Sequence, residues 1–190
     1  MKLKKNLPFA QSLLQTAIAP GDIAIDGTAG NGHDTVYLAG LTGKDGHVYG
    51  FDIQKEAIEH TAKKLADANL DQQCTLFQTG HQHITANIPK KHFGKITGAI
   101  FNLGYLPGGD KTIVTMASTT IPAIEQLLDI MAPEGIIVLV IYHGHPGGSR
   151  EKDEILAFAA GLDQQKAHVL QYSFINQVNS PPFVIAIEKR

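Results

Sequence analysis

Apolar positions along this chain alternate between two spacings. Short apolar runs at Ile23–Asp26, Gly46–Asp52, Cys74–Gln78, Ile96–Phe101, Gly135–Tyr142, His168–Phe174 and Phe183–Glu188 read as seven strands. Between them the period lengthens to that of a helix. Leu7, Leu14 and Ile18, with Ala10 and Ala17, predict an amphipathic helix over 8–19, ended by Pro20-Gly21. Residues 33–41 form a second, and 54–68 a third, with Ile58, Thr61, Ala62 and Leu65 on one face. Ile124, Leu127, Leu128 and Met131 mark a fourth. It is expected to begin near Thr120-Ile121-Pro122, because a first turn has no use for the N–H that proline lacks. A fifth covers 150–161 and stops at Gly161. Such alternation predicts a parallel sheet with right-handed crossovers and helices on both faces. The last two strands are separated by only about eight residues, too few for a helical crossover, so they are expected to pair antiparallel. Gly135–Tyr142 is the most apolar run, which suits a central strand buried on both sides.

Composition narrows the class. Over 190 residues, 43% hydrophobic against 18% charged allows a packed core and excludes a disordered chain, so one α/β domain is expected over 1–190. The lysine-rich start followed by Ala17-Ile-Ala19 imitates a signal peptide, but Gln11, Ser12, Gln15 and Thr16 interrupt the apolar run. Residues 1–20 are instead read as a helix packed on, or lidding, the ligand site. No apolar run reaches bilayer-spanning length. Cys74 is the only cysteine, so an internal disulfide is impossible and a reducing, cytoplasmic location fits. A net charge of -2 and only two arginines, Arg150 and Arg190, argue against a large nucleic-acid footprint. The small basic clusters at Lys2, Lys4 and Lys5 and at Lys90, Lys91, His92 and Lys95 read as solvated surface.

The candidate chemistry gathers at one edge. In open parallel sheets ligands bind beyond the carboxyl ends of the strands. The loops there hold 27–34, Gln54, 79–83, 102–111, 143–148 and 176–182, which are rich in Gly, Asn and His. Asp26-Gly-Thr-Ala-Gly30-Asn-Gly32 follows the first strand and precedes a helix, so glycines let the backbone turn tightly against a ligand. Asp52 ends the second strand, where a carboxylate can accept both hydroxyls of a ribose. A nicotinamide dinucleotide site would need a third glycine where Thr35 stands. Asp26 would crowd a pyrophosphate but suits an ammonium, and Asp-x-x-x-Gly-x-Gly resembles motif I of class I methyltransferases. Asn102-Leu-Gly-Tyr105 resembles the Asn/Asp-Pro-Pro-Tyr/Phe motif of amine methyltransferases, with both prolines replaced. The Asn102 oxygen and the Leu103 carbonyl would aim an amine lone pair along the S–CH₃ axis, and Tyr105 would stack on a base or face the developing charge. His81 would contact adenine. His81-x-His83 and His143-x-His145 invite a zinc reading, but neither cysteine nor carboxylate stands at ligand spacing, so no metal is expected. His143 or His145 is a candidate proton acceptor.

Taken together, Asp26–Asp34, Asp52-Ile-Gln54, Gly80-His81, Phe101–Lys111, Tyr142–Gly148 and Asn179-x-Pro-Pro-Phe183 resemble a bacterial family. Its members are S-adenosylmethionine-dependent tRNA methyltransferases that complete 5-methylaminomethyl-2-thiouridine at wobble position 34. The resemblance implies a Rossmann-like class I methyltransferase fold and an anticodon-region tRNA substrate. It implies N-methylation of the 5-aminomethyl group, and a cytoplasmic homodimer. It assigns S-adenosylmethionine to Asp26, Gly27, Thr28, Gly30, Asn31, Gly32, Asp34, Asp52, Gln54 and His81. Asn102, Tyr105 and His143 are the expected catalytic residues, and Lys111, His145, Asn179 and Phe183 the expected substrate contacts. Another RNA or a small-molecule amine as acceptor, a cofactor-binding RNA module without catalysis, and a nicotinamide oxidoreductase stay open at this level.

Overall fold

A computed structural model describes residues 2–190. Its helices are α1 (Asn6–Ala17), α2 (His33–Thr42), α3 (Lys55–Asp67), α4 (Ile84–Asn87), α5 (Ala117–Ile130) and α6 (Gly148–Ala160). Its strands are β1 (Ile23–Asp26), β2 (His47–Asp52), β3 (Cys74–Gln78), β4 (Ile96–Leu103), β5 (Met131–Ile141), β6 (Ala167–Tyr172) and β7 (Phe183–Lys189). They form one seven-stranded sheet in the order β3-β2-β1-β4-β5-β7-β6. Strands β1 to β5 are mutually parallel, and β7 inserts antiparallel between β5 and β6.

The apolar runs are continuous because both faces are covered. In β5, Ile137, Leu139 and Ile141 pack with Ile124, Leu127 and Ile155 of α5 and α6, while Val138 and Val140 pack with Leu14, Leu38 and Leu65 of α1, α2 and α3. Gly98 in β4 makes room for α1, since a Cβ there would lie 2.5 Å from Ile18 Cδ1. The start of α1 is tied down by Tyr172, whose hydroxyl donates to Lys4 O at 2.7 Å and whose ring stacks on Phe9 at 3.9 Å. Leu7 and Gln11 of α1 reach the cavity wall.

Several boundaries differ from the sequence expectation. Strand β4 continues to Leu103, so Asn102 belongs to a strand and not to the loop after it. Helix α5 begins at Ala117, which puts Pro122 in its second turn. The N–H that Pro122 lacks would have bonded Ser118 O, and Ser118 is exposed, so water can replace it. Met131 starts β5 and does not close α5. The irregular first stretch of β5 carries Glu134 at φ 64°. Phe174 falls beyond the end of β6. Helix α4 and short 3₁₀ turns at 71–73, 81–83 and 90–92 were not foreseen, being too short to show a period.

Candidate active site

A cavity of about 1160 Å³ opens over the carboxyl ends of β1, β2, β4 and β5. One wall is the loop between β1 and α2. Gly30 at φ 52° and Gly32 at φ 77° fold it back on itself, a conformation that favours residues without a Cβ. Asp52 supports this loop from the end of β2, with Oδ2 accepting from Gly30 N–H and Oδ1 from Gln54 N–H, both at 2.9 Å. Burial raises its pKa, and those N–H bonds oppose the rise.

Asp26 behaves differently from its sequence reading. It is fully buried and does not line the cavity, so it is not placed to meet an ammonium. Its carboxylate accepts from Thr28 N–H at 3.1 Å and Thr35 Oγ1 at 2.6 Å, holding the loop from beneath. Burial, and then the charge of Asp34, push its pKa up to about 7. Asp34 is the carboxylate that borders the cavity.

Asn102 is anchored twice. Its N–H donates to Thr28 Oγ1 at 2.7 Å, and its Nδ2 donates to Asp34 Oδ2, also at 2.7 Å. A carboxylate only accepts, so the amide nitrogen must face it, leaving Oδ1 as the acceptor at the cavity. The Leu103 carbonyl, expected to share this role, is buried and accepts from Tyr142 N–H at 2.9 Å.

Tyr105 borders the cavity, 38% exposed, with Lys111 Nζ 5.8 Å from its ring centroid. His143 Nε2 donates to Pro181 O at 3.1 Å, which leaves Nδ1 as the lone-pair nitrogen. His145 Nδ1 donates to Pro146 O at 3.0 Å, while its Nε2 is buried without a partner. His81 also borders the cavity, but its nitrogens face protein. Nδ1 donates to Gly27 O at 3.0 Å, and Nε2 lies 3.4 Å from Thr120 Oγ1. Burial lowers its pKa, which favours the neutral ring.

Gly27, Thr28, Gly30, Asn31 and Gln54 line the cavity. Three other candidates do not. Gly32 is buried behind the loop, where a Cβ would meet Thr61 at 3.0 Å. Asn179 is exposed in the β6–β7 loop, and its neighbours Ser180 and Pro182 line the cavity instead. Phe183 is a core residue, 5% exposed, that reaches the site only through His143, ring centroids 5.8 Å apart. Sequence reasoning missed Leu7, Ile53, Thr115 and Tyr142 on the wall and buried Glu151 behind it. Only the apolar Ile53 between two polar neighbours was a visible signal. Among the described residues, no three His, Cys, Asp or Glu side chains converge as metal ligands would.

The walls suit a cationic nucleoside. Asp34 and Asp52 supply negative charge, and Ile53, 56% exposed, offers apolar surface for a flat base. Sheet order, the loop after β1 and the acidic end of β2 define a Rossmann-like class I methyltransferase, dependent on S-adenosylmethionine.

The chain belongs to the family described as "Putative rRNA methylase", whose model matches residues 48–188. It is 35% identical over 194 residues to the Arabidopsis thaliana protein "tRNA (mnm(5)s(2)U34)-methyltransferase, chloroplastic", covering 98% of this chain and 70% of that one. A family structure from Clostridium thermocellum superposes with a TM-score of 0.96 at 42% identity, over 100% of both chains. A Streptococcus mutans methyltransferase solved in complex with SAH superposes at 0.89 with 38% identity, over 99% of both.

Proposed function

We propose that this methyltransferase N-methylates the 5-aminomethyl group of 2-thiouridine at tRNA position 34, giving 5-methylaminomethyl-2-thiouridine. The observation that carries the reading is Asn102, held by Thr28 and Asp34 so that Oδ1 alone is left to accept. An amine attacking a methyl group needs an acceptor that fixes its N–H bonds and thereby aims its lone pair. The similarity to the Arabidopsis protein supports the acceptor, as that protein's name gives this nucleoside.

S-adenosylmethionine, when bound, supplies a methyl group already activated on sulfonium. Asp52 and Gln54 would hold its ribose and Ile53 would offer its apolar surface to the base, with Gly27–Asn31 and Asp34 forming the remaining wall. Asp26 and Gly32 serve by supporting that loop. Tyr105, Lys111 and His145 border the acceptor nucleoside. An aminomethyl group is largely protonated near neutral pH and must lose a proton before attack, and His143 Nδ1 is the acceptor we assign. The same reading places the enzyme in the cytoplasm as a homodimer acting on the anticodon region. Among the described residues, no helix is long and apolar enough to cross a membrane.

A net charge of -2 favours a second reading, methylation of a small-molecule amine. Purified protein incubated with labelled S-adenosylmethionine and tRNA from cells lacking the gene separates the two. One methyl gained on 5-aminomethyl-2-thiouridine, seen by nucleoside mass spectrometry, is the expected result. Cofactor binding without transfer to tRNA would refute it. Asn102→Ala is expected to lower turnover about 10²-fold with cofactor Kd little changed. Asp52→Ala is expected to raise that Kd about tenfold or more, read by calorimetry.

A further inference from the structure

Glu151 has no part in the chemistry above, yet it is the only buried glutamate among the described residues, 5% exposed in the first turn of α6. Its neighbours Arg150 and Lys152 pair with other carboxylates, Glu154 and Asp153, and among the described residues Glu151 is in no ion pair, although His145 is near enough to favour its charged form. A buried carboxylate without a cation is costly unless hydrogen bonds hold it. Here the holders are hydroxyls, and one of them, Thr115, leads to the acceptor half of the cavity.

On the acceptor side, Thr115 Oγ1 donates to Glu151 Oε2 at 2.9 Å and itself accepts from Gly104 N–H at 2.8 Å. Thr115 N–H donates back to Gly104 O at 2.9 Å, so Gly104 is clamped between Asn102 and Tyr105. Thr120 Oγ1 lies 3.4 Å from both Glu151 Oε1 and His81 Nε2; because His81 Nδ1 donates to Gly27 O, Nε2 of the neutral ring is an acceptor and the single Thr120 hydroxyl proton serves only one of the two. The partnerless His145 Nε2 packs in the same corner, where a Cβ on Gly148 would lie 2.9 Å from it.

We propose that Glu151 is a positioning residue that sets the Asn102–Tyr105 segment, acting through Thr115 on Gly104. The inference rests on the assignment of Asn102 as the group that aims the amine. It treats the buried carboxylate as an anchor for hydroxyl donors rather than as a proton carrier. A glutamine, which keeps an acceptor oxygen, should therefore stand in for it where alanine fails.

The test uses Thr115→Val, Glu151→Ala and Glu151→Gln in the full chain. Thr115→Val and Glu151→Ala are expected to lower turnover on the tRNA amine at least tenfold, towards the roughly 10² that misplacing a reacting group costs. S-adenosylmethionine Kd should stay within about twofold. Glu151→Gln should recover most of the loss. In the ligand-free protein, hydrogen exchange at the Gly104 amide should accelerate in Thr115→Val and stay slow in Glu151→Gln. Wild-type turnover in Thr115→Val, a matching loss of cofactor affinity, or Glu151→Gln no better than Glu151→Ala would overturn the proposal. If Glu151→Ala fails to fold, Thr115→Val carries the test. Asn102→Ala in the same assay separates the two claims. If it keeps wild-type turnover the Asn102 assignment falls, whereas loss there beside a fully active Thr115→Val removes only the role of Glu151.

Discussion

Asp26 and Asp34 flank the glycine loop, and burial divides their work. Asp34 borders the cavity and orients Asn102, whereas Asp26 is sealed beneath the loop and holds Thr28 and Thr35. The raised pKa of Asp26 has a sign that can be checked. Below its ordinary value of 3.8 it is protonated whether folded or unfolded. As pH rises towards about 7, the unfolded chain releases the proton and the folded one keeps it, so the contribution of Asp26 to stability is lost over that window. Asp26→Asn cannot ionise. Its stability relative to wild type should therefore improve between pH 4.5 and pH 8, by an amount on the order of 3 kcal/mol. Urea unfolding at the two pH values measures this, and a constant difference would mean that Asp26 ionises normally in the fold. The Asp26 position was legible as a motif; its burial was not, because only the packing of β1 between β2 and β4 seals it.

At the scale of elements, amphipathic period and burial agree best where one helix face meets the sheet. Leu14 of α1 is fully buried among Leu38, Val138 and Val140, while Leu7, two turns earlier, is 39% exposed at the cavity wall. Leu14→Ala should cost about 2–5 kcal/mol in chemical denaturation with cofactor affinity retained once folded. Leu7→Ala should leave stability near wild type and weaken cofactor affinity a few-fold in calorimetry. The reverse pattern would mean that α1 is not part of the site. The start of α5 was misread because 115–120 is largely Thr and Ser, with no apolar period to announce a helix. Strand β4 was read two residues short for a related reason. Asn102 is polar, and only pairing with Val140 of β5 keeps it in the strand.

At the scale of the whole molecule, β6 is one of the two edge strands of the sheet, the other being β3. Strand β6 exposes Val169 at 40% and Leu170 at 47%, and the loop beyond it exposes Ile175 at 96% and Val178 at 79%. An unpaired edge with apolar side chains invites association. Light scattering is expected to return twice the 20.5 kDa of one chain, and Leu170→Lys to shift it towards the monomer. A wild-type monomer at micromolar concentration would remove the dimer from the reading. The cavity itself is a product of this scale, since its wall takes residues from α1 at one end of the chain and Pro182 at the other. Seven strands, their parallel run and the antiparallel close were determined by the sequence alone, as was the gathering of the glycine loop, Asp52 and Asn102 at the carboxyl edge of the sheet. All rest on local periodicity, loop length or turn chemistry, which act over a few residues. Only the tertiary structure decided that Asp26 is buried, that Phe183 belongs to the core, that Asn179 lies off the cavity wall and that Glu151 accepts from Thr115. Each depends on contacts between segments far apart in the chain, where burial is set by what packs opposite and no local pattern records it.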